Sequence, residues 1–263
     1  MNYKFLFLVG SALNHFQEKD FSRYNTEQRF YQTLDTIKSI KEKVPDAYIL
    51  FYEGSENPID VKYQTILEEQ VDLYLECGSD LIMKGVYENL HHNPTKFIYG
   101  KSMLECRCLQ VSLNHILENN LFNDTTRVFK MTGRYKLNDD FNIDDYKTNF
   151  LSNKYVMKYY DYEKRFEKQD NLYVNIYGCK GSMMTGLWSF DRFLFNDIRK
   201  VLEECFVYME QAIQVTAGID IEHSFYHFIS RDKILNVPVL GIDVIKGMSE
   251  EMYSLWKSQS FIT

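Results

Sequence analysis

The sequence lacks any long hydrophobic run. A membrane-spanning helix needs about 20 consecutive apolar residues, and no apolar stretch of the chain approaches that length. The apolar run near the first residue covers only residues 5–9, which is too short for the hydrophobic region of a secretory signal peptide. We therefore expect a protein without a membrane span, located in the cytoplasm.

Positive charge is also in short supply. The chain has 30 Lys and Arg residues against 37 Asp and Glu residues, which gives a formal net charge of -7. Because affinity for nucleic acid comes from massed Lys and Arg side chains, this balance excludes a general nucleic-acid-binding protein. Any phosphate that the protein binds is expected to be small and held by a local group of cations.

Proline, paired cysteines and repeats are scarce as well. The four prolines mark no linker, and no internal repeat occurs. The five cysteines form no C-x-x-C pair, and Cys106 and Cys108 are too close together for an ordinary disulfide or a zinc knuckle. We therefore expect reduced thiols. Because hydrophobic residues make up 45% of the chain, we expect one folded domain over residues 1–263.

The first half of the chain alternates strand and helix patterns. Short, continuous apolar runs, which are typical of strands buried on both faces, cover residues 3–10, 47–55 and 125–135. Apolar residues at helical spacing predict helices over residues 26–44, with Thr26 as the N-cap, and over residues 101–120. Residues 60–77 are interpreted as helical too. This order predicts βαβ units and a parallel sheet.

The second half of the chain has a different pattern. Two extended segments flank a charged turn, and two helices and a last strand follow them. The predicted extended segments are 153–166 and 170–190, the helices are 189–214 and 220–230, and the strand is 237–247. We therefore predict mixed strands after residue 141.

Three of the predicted strand ends carry glycine or charge. They are Gly10–Ser11, Glu53–Ser55 and Lys130–Tyr135. Ligands of open α/β sheets bind beyond the carboxyl ends of the strands, so these ends would border one crevice if the strands are parallel neighbours. The alternative for each glycine is simple strand termination.

Two cations at the third strand end indicate an anionic ligand. Lys130 offers a point charge and Arg134 offers a bidentate fork, a combination that suits a diphosphate. The alternative is ordinary surface charge, although a solvated lysine is unusual at the end of a buried strand. Neither the P-loop motif nor the dinucleotide-binding glycine motif occurs.

The acids of residues 218–228 are candidates for a general base. Glu222 or Asp220 would stand at the start of a short helix, where neighbours can orient a carboxylate. Helix-capping acids are the alternative. His223 and His227 have the i, i+4 spacing of a metal-binding pair, which is a weak signal by itself. The pair Asp139–Asp140 is interpreted either as solvated turn residues or as ligands of a divalent cation.

Four stretches in this order resemble nucleotide-sugar glycosyltransferases with a GT-A-like fold, in particular small bacterial and viral polysaccharide-type enzymes. They are RFYQTLDTIKSIKEKVPDAYILFYEGS at 29–55, GKSMLECRCL at 100–109, FKMTGRYKL at 129–137 and GIDIEHSFYHF at 218–228. The resemblance implies an α/β, Rossmann-type fold with a mainly parallel sheet flanked by helices. It implies a nucleotide-binding half over residues 1–141 and a mixed-strand, acceptor-binding half over residues 142–263.

The resemblance also implies which residues contact the nucleotide-sugar donor. They are Val9, Gly10, Ser11, Glu53, Gly54, Ser55, Lys101, Ser102, Glu105, Lys130, Arg134 and Tyr135. Residues 130–135 stand where this fold commonly carries an Asp-x-Asp metal motif. This departure fits cations that replace the charge of a metal. No metal ligand and no cofactor is therefore firmly implied, and a divalent Mn or Mg ion stays open as an alternative.

The implied activity is glycosyl transfer. A hexosyl or pentosyl group would move from a nucleotide sugar to a hydroxyl of a glycan or polysaccharide acceptor, with inversion at the sugar carbon and with Glu222 or Asp220 as the catalytic base. Two alternatives remain. One is another nucleotide-using Rossmann-like transferase, and the other is a non-catalytic carbohydrate-binding protein on the same scaffold.

Overall fold

The computed structural model describes residues 3–14, 24–92, 97–161, 181–214 and 219–244. The strands are β1 (Phe5–Ser11), β2 (Tyr48–Glu53), β3 (Leu73–Glu76), β4 (Arg127–Thr132), β5 (Lys136–Leu137), β6 (Tyr155–Met157), β7 (Tyr159–Asp161), β8 (Gly181–Met183), β9 (Leu187–Asp191), β10 (Ile234–Asn236) and β11 (Ile242–Asp243). The α-helices are α1 (Thr26–Lys43), α2 (Val61–Glu68), α3 (Leu81–His92), α4 (Phe97–Glu118), α5 (Phe195–Gln214) and α6 (Ile221–Phe228). Short 3-10 helices cover Ile143–Tyr146, Asn149–Leu151, Arg192–Leu194 and Arg231–Lys233.

Seven of the described strands form the central sheet, in the order β10-β6-β9-β4-β1-β2-β3. Strand β1 pairs in parallel with β2 and β4, and β2 pairs in parallel with β3. Strand β9 is antiparallel to both β4 and β6. Strand β10 pairs in parallel with β6. The first half of the chain therefore forms the continuous parallel part β4-β1-β2-β3, whereas the second half has both antiparallel and parallel pairs. The predicted α/β class, with a mainly parallel sheet and mixed strands late in the chain, is confirmed.

The central sheet is covered on both faces. Successive side chains of a strand point to opposite sides, so neighbouring residues of one strand belong to different apolar clusters. In β1, Leu6 and Leu8 belong to the apolar cluster that contains residues of α3, α4, α5 and α6. Phe7 and Val9 belong to the cluster on the other face, which contains Phe30 and other residues of α1. The continuous apolar runs of the sequence therefore reflect strands covered by helices on each side.

The structure corrects the prediction for residues 60–77. Helix α2 ends at Glu68, and Leu73–Glu76 form the edge strand β3 rather than more helix. Its residues pair in register with β2, for example Leu50 with Leu73. Four residues are too few to show a strand period, so the hydrogen bonds supplied by β2 decide their conformation.

Three other predicted boundaries move. Asn25, and not Thr26, caps α1, because its side chain accepts from the Gln28 N–H while Gln28 reaches back to the Asn25 N–H. Residues 189–191 belong to β9, and helix α5 begins only at Phe195. Within the predicted last strand, 237–247, the described residues include only the two-residue strand β11, which pairs with β5. Residues 162–180 lie outside the described residues. They contain the predicted charged turn, the end of the first predicted extended segment and the first half of the second.

Four of the five cysteines lie among the described residues. Cys77, Cys106, Cys108 and Cys205 are buried and unpaired, whereas Cys179 lies outside the described residues. Within the ranges given above, no helix combines the length and the apolar character that crossing a bilayer requires.

Candidate active site

A cavity opens where the carboxyl ends of β1, β2 and β4 meet. The register aligns Gly10 of β1 with both Tyr52 of β2 and Thr132 of β4. Backbone hydrogen bonds tie the ends together, since Gly54 N–H donates to the Ser11 carbonyl (2.7 Å) and Gly133 N–H donates to the Gly10 carbonyl (2.8 Å). The cavity has a volume of about 220 Å³. Its position is the one expected for the ligand of an open α/β sheet.

Most of the predicted donor-binding residues line this cavity. Those that do are Gly10, Ser11, Gly54, Lys101, Glu105, Lys130, Arg134 and Tyr135, together with the candidate base Glu222. The structure thus brings three separate strand ends, the start of α4 and the start of α6 to one place. Their contacts with a donor stay predictions.

Gly10 is at a position where a side chain has no room. A Cβ atom there would lie 2.3 Å from the Tyr52 ring, which itself lines the cavity. Glycine therefore lets the β1 backbone and the Tyr52 ring share the cavity wall. Packing against Tyr52 therefore explains the glycine at this strand end, in addition to its role in ending the strand.

Lys130 is almost completely buried, and protein atoms take up its donors. It follows Val128 on the face of β4 that α4 covers, with 2% of its side chain exposed. Its ammonium forms an ion pair with Glu105 of α4 and donates to the Thr185 carbonyl (2.8 Å) and to the Thr132 hydroxyl (3.3 Å). An ammonium has three protons, and each has an acceptor here. The predicted direct contact of Lys130 with a phosphate therefore has little geometric support, although its charge borders the cavity.

The charges around Glu105 favour its carboxylate form. Burial alone would raise its pKa, but the charges of Lys130, Lys101 and Arg134 and the hydrogen bond from Lys130 hold the pKa below its ordinary value. The two residues therefore form an internal counter-ion pair in the cavity wall, with Lys130 buried and Glu105 half-buried.

Three further cations face the cavity. Arg29 of α1 is 3% exposed and donates to the Ala12 carbonyl (2.8 Å). The Nε of Arg134 is buried and has no acceptor among the described residues. Lys101 is exposed as a whole residue and lines the cavity, where burial of its ammonium and the charges of Arg134 and Arg29 lower its pKa to about 8. Such mutual repulsion favours a bound anion, which would offset it.

Glu222 lines the same cavity as these cations. It is in the first turn of α6, half-buried, and its Oε1 accepts from the Thr185 hydroxyl at 3.2 Å. Burial, followed by the nearby charges of Asp220 and Glu105, raises its pKa to about 7. A carboxyl group that titrates near neutrality is suited to proton transfer at physiological pH.

The second candidate base has another position. Asp220 is the N-cap of α6, where its carboxylate accepts from the His223 N–H (2.9 Å) and lies 2.6 Å from His223 Nδ1. Burial would raise the pKa of Asp220, but the bonds and charge of His223 keep it below its ordinary value. Asp220 does not line the cavity. The geometry therefore favours Glu222 over Asp220 as the group that meets a substrate.

The metal-binding alternatives do not gain support. His223 is engaged by Asp220, whereas the His227 ring stacks on Tyr208 with 5.4 Å between centroids. Asp139 forms an exposed ion pair with Lys43 (2.8 Å). Within the part of the chain that the structure describes, no group of three or more His, Cys, Asp or Glu residues could hold a metal ion.

Four predicted donor-binding residues lie behind the cavity wall, namely Val9, Glu53, Ser55 and Ser102. Glu53 is 1% exposed, and its Oε1 accepts from the N–H groups of Leu13 and Ser55 (both 2.9 Å) and from the Ser55 hydroxyl. Burial raises its pKa to about 7. Glu53 thus fastens the segment after β1 to the end of β2 and supports the rim from behind.

Several lining residues are absent from the sequence-based prediction. Arg29 carries a signal in the sequence, because it lies on the same helical face as Thr33 and Ile37, where a solvated arginine would not be expected. Thr185 carries none, because its position depends on antiparallel pairing of β9 with β4. The other such residues are Ala12, Tyr52, Tyr87, Leu104, Cys108, Thr132, Met184 and Gly186.

Comparison with known proteins supports the fold. No protein-family model matches the chain, and no curated protein matches it by sequence. Among solved structures it is similar to core-mannan synthase A of Aspergillus fumigatus in its Mn/GDP form, with TM-score 0.53, 9% identity and coverage of 92% of this chain and 74% of that chain. It is also similar to the mannosyltransferase Ktr4p of S. cerevisiae, with TM-score 0.54, 8% identity and coverage of 94% and 71%. The chain has the GT-A-like fold of these fungal proteins, and the more specific likeness to bacterial and viral enzymes is not supported.

Proposed function

We propose that this protein is a glycosyltransferase that moves a sugar from a nucleotide sugar to a hydroxyl of a glycan acceptor. The observation that carries the proposal is the group of cationic side chains, Arg29, Lys101 and Arg134, that line one cavity at the strand ends. Their mutual repulsion contributes to the lowered pKa of Lys101, and a bound diphosphate would offset that repulsion. The fold shared with mannosyltransferases supports the same reading.

The donor would lie along the strand ends. The β1 and β2 termini, at Gly10, Ser11 and Gly54, would border the nucleoside, and Arg134, Lys101 and Arg29 would hold the diphosphate. When the bond between the sugar carbon and the phosphate oxygen breaks, negative charge develops on the leaving diphosphate. Fixed cations stabilise that charge without reorganising during the reaction.

Glu222 would be the catalytic base. The acceptor oxygen attacks the sugar carbon from the side opposite to the departing diphosphate, and its proton passes to the Glu222 carboxylate. One carbon–oxygen bond forms, one breaks, and the configuration at the sugar carbon is inverted. The first half of the chain would bind the nucleotide and the second half the acceptor, because Glu222 comes from residues 142–263 and the cations from residues 1–141.

The residues around the cavity do not fit a divalent cation beside the diphosphate. Of the lining carboxylates, Glu105 is already paired with the Lys130 ammonium. Glu222 has a raised pKa and accepts from Thr185. The position beside them already contains the positive charges of Arg29, Lys101 and Arg134, which oppose a second cation. We therefore propose that protein cations supply the charge that manganese can supply in the Aspergillus protein, whose structure is a Mn/GDP form.

Chelation is expected to leave turnover unchanged. In a transferase assay with excess EDTA, the protein should release nucleoside diphosphate as fast as without EDTA, because Arg134, Lys101 and Arg29 remain in place. Addition of Mn²⁺ or Mg²⁺ to the treated protein is the control and should not raise the rate. Complete loss of activity that Mn²⁺ restores would contradict the proposed charge arrangement.

A donor screen tests the activity itself. The protein is incubated with individual nucleotide sugars, with and without a mixture of glycan acceptors, and released nucleoside diphosphate is measured. Acceptor-dependent release is expected for at least one donor, and proton NMR of the first product should show an inverted anomeric configuration. Release that never depends on an acceptor would contradict transfer to a glycan, and a retained configuration would contradict a single displacement.

A further inference from the structure

Thr185 is held rigidly between β8 and β9. Its side chain is buried, with 6% exposed. The Met184 N–H donates to the Lys158 carbonyl (2.8 Å), and the Thr132 N–H donates to the Gly186 carbonyl (2.9 Å). The backbone on each side of Thr185 is therefore fixed to a different segment, and Thr185 has little freedom to move within the cavity wall.

This residue connects the buried ion pair with Glu222. Its carbonyl accepts from the Lys130 ammonium at 2.8 Å, and its hydroxyl donates to Glu222 Oε1 at 3.2 Å. Lys130 is itself held by Glu105. A continuous chain of polar contacts thus runs from α4 through β4 and Thr185 to the start of α6.

We propose that Thr185 is a positioning residue, anchored by Lys130, that holds the Glu222 carboxylate in its orientation toward the cavity. The effect of Thr185 on turnover rests on the proposed function. Its effect on the pKa and orientation of the Glu222 carboxyl group does not. The Thr185 hydroxyl donates to the Glu222 carboxyl group, so a single substitution at Thr185 changes the environment of Glu222 without altering the cations that would bind a donor.

The charges around Glu222 define the direction of the effect. The titratable and charged groups near it are Asp220 and His223 of α6, Lys101 and Glu105 of α4, Lys130 of β4, and Arg134 and Tyr135 after β4. Burial, Asp220 and Glu105 raise the pKa of Glu222, and the hydrogen bond from the Thr185 hydroxyl opposes them. Removal of the Thr185 hydroxyl should therefore raise this pKa further and leave less carboxylate at neutral pH.

The direct test replaces Thr185 by Val, which has nearly the same shape and no hydroxyl. The carboxyl carbon of Glu222 is followed by ¹³C NMR during a pH titration, with its signal identified by its disappearance in Glu222→Gln. We expect the midpoint to move to higher pH in Thr185→Val and to return in Thr185→Ser, which keeps the hydroxyl. Thr125→Val is the matched control, because the buried Thr125 hydroxyl has no partner among the described residues and does not line the cavity. Its titration should match that of the parent.

Kinetics provide the second readout. For Thr185→Val we expect kcat/KM to fall about tenfold near pH 6 and to recover toward the parent value in alkaline solution. If Thr185→Val does not fold, Thr185→Ala removes the same hydroxyl with less crowding and is judged by the same titration. An unchanged Glu222 titration in the folded variant overturns the positioning role. If the Glu222 titration shifts but the parent protein transfers no sugar, the positioning role is supported and the proposed function is contradicted.

Discussion

Replacement of Glu222 by Gln is expected to lower turnover by about 10²–10⁴-fold, the usual effect of removing a general base, while donor affinity stays nearly unchanged. Gln keeps the size of the side chain and can still accept a hydrogen bond from the Thr185 hydroxyl, which lies 3.2 Å from Glu222 Oε1. It cannot take up the acceptor proton at neutral pH. The measurement is steady-state turnover together with calorimetric titration of the donor into each variant.

The matched control for this substitution is Glu203→Gln. Glu203 is an exposed residue of α5 that does not line the cavity, so the variant should behave as the parent. Full activity of Glu222→Gln would mean that the base is another group, and Asp220→Asn would be the next variant to measure. Asp220 caps α6, so that variant also requires a measurement of stability.

Replacement of Arg134 by Ala is expected to weaken binding of nucleoside diphosphate by about 10–100-fold, since hydrogen bonds to charged groups contribute about 1.5–3 kcal/mol. Turnover should fall as well, because the guanidinium would contact the phosphates before and during bond cleavage. Arg134→Lys should recover only part of the affinity, because an ammonium keeps the charge and loses the planar fork. Calorimetric titration at fixed, low salt measures all three proteins.

Arg199→Ala is the matched control for charge removal. Arg199 lies on α5, bonds to the Asn114 side chain (2.7 Å) and does not line the cavity. Its loss should leave nucleotide affinity unchanged. If Arg134→Ala binds as tightly as this control, the cations of the cavity do not hold a diphosphate and the assignment of the donor site is wrong.

The two main variants differ in a diagnostic way. Glu222→Gln should change turnover alone, whereas Arg134→Ala should change both affinity and turnover. This difference follows from position, because Glu222 and Arg134 enter the same cavity from different halves of the chain. A carbohydrate-binding protein without catalysis would show no effect of either variant on nucleotide binding.

The charge of the cavity also bears on the alternative of another nucleotide-using transferase, for which a methyltransferase is one example. A methyl donor such as a sulfonium compound carries positive charge at its reactive centre, and the cavity already contains Arg29, Lys101 and Arg134. Repulsion among these cations contributes to the lowered pKa of Lys101. An anionic diphosphate would relieve that repulsion, and a cationic ligand would increase it.

Much of the site could be predicted from the sequence because it consists of strand ends. Apolar runs that end at Gly10, Gly54 and Lys130 identify three parallel strands, and parallel strands present their carboxyl ends at one edge. The edge strand β3 could not be predicted in this way. Its four residues are too short to show a period, and its pairing with β2 is a tertiary contact.

The partners of the charges could not be predicted either. The sequence shows that Lys130 is an unusual residue for a buried strand, but its counter-ion Glu105 lies on α4 and meets it only through helix packing on the sheet. Thr185 lies still further along the chain, and the antiparallel pairing of β9 with β4 brings it to Lys130. Charge at a strand end indicates a site, whereas the fold decides which charges are satisfied internally and which face a ligand.

Calorimetric titration of the parent protein with a panel of nucleoside diphosphates, in EDTA, is the most direct test of the central claim that the cavity binds a nucleotide-sugar donor. The account predicts saturable binding of at least one nucleoside diphosphate that weakens as salt is raised and is strongly reduced in Arg134→Ala. Neutral glycans added alone should bind more weakly than that nucleotide. Binding of glycans with no binding of any nucleoside diphosphate, with or without Mn²⁺, would contradict the account.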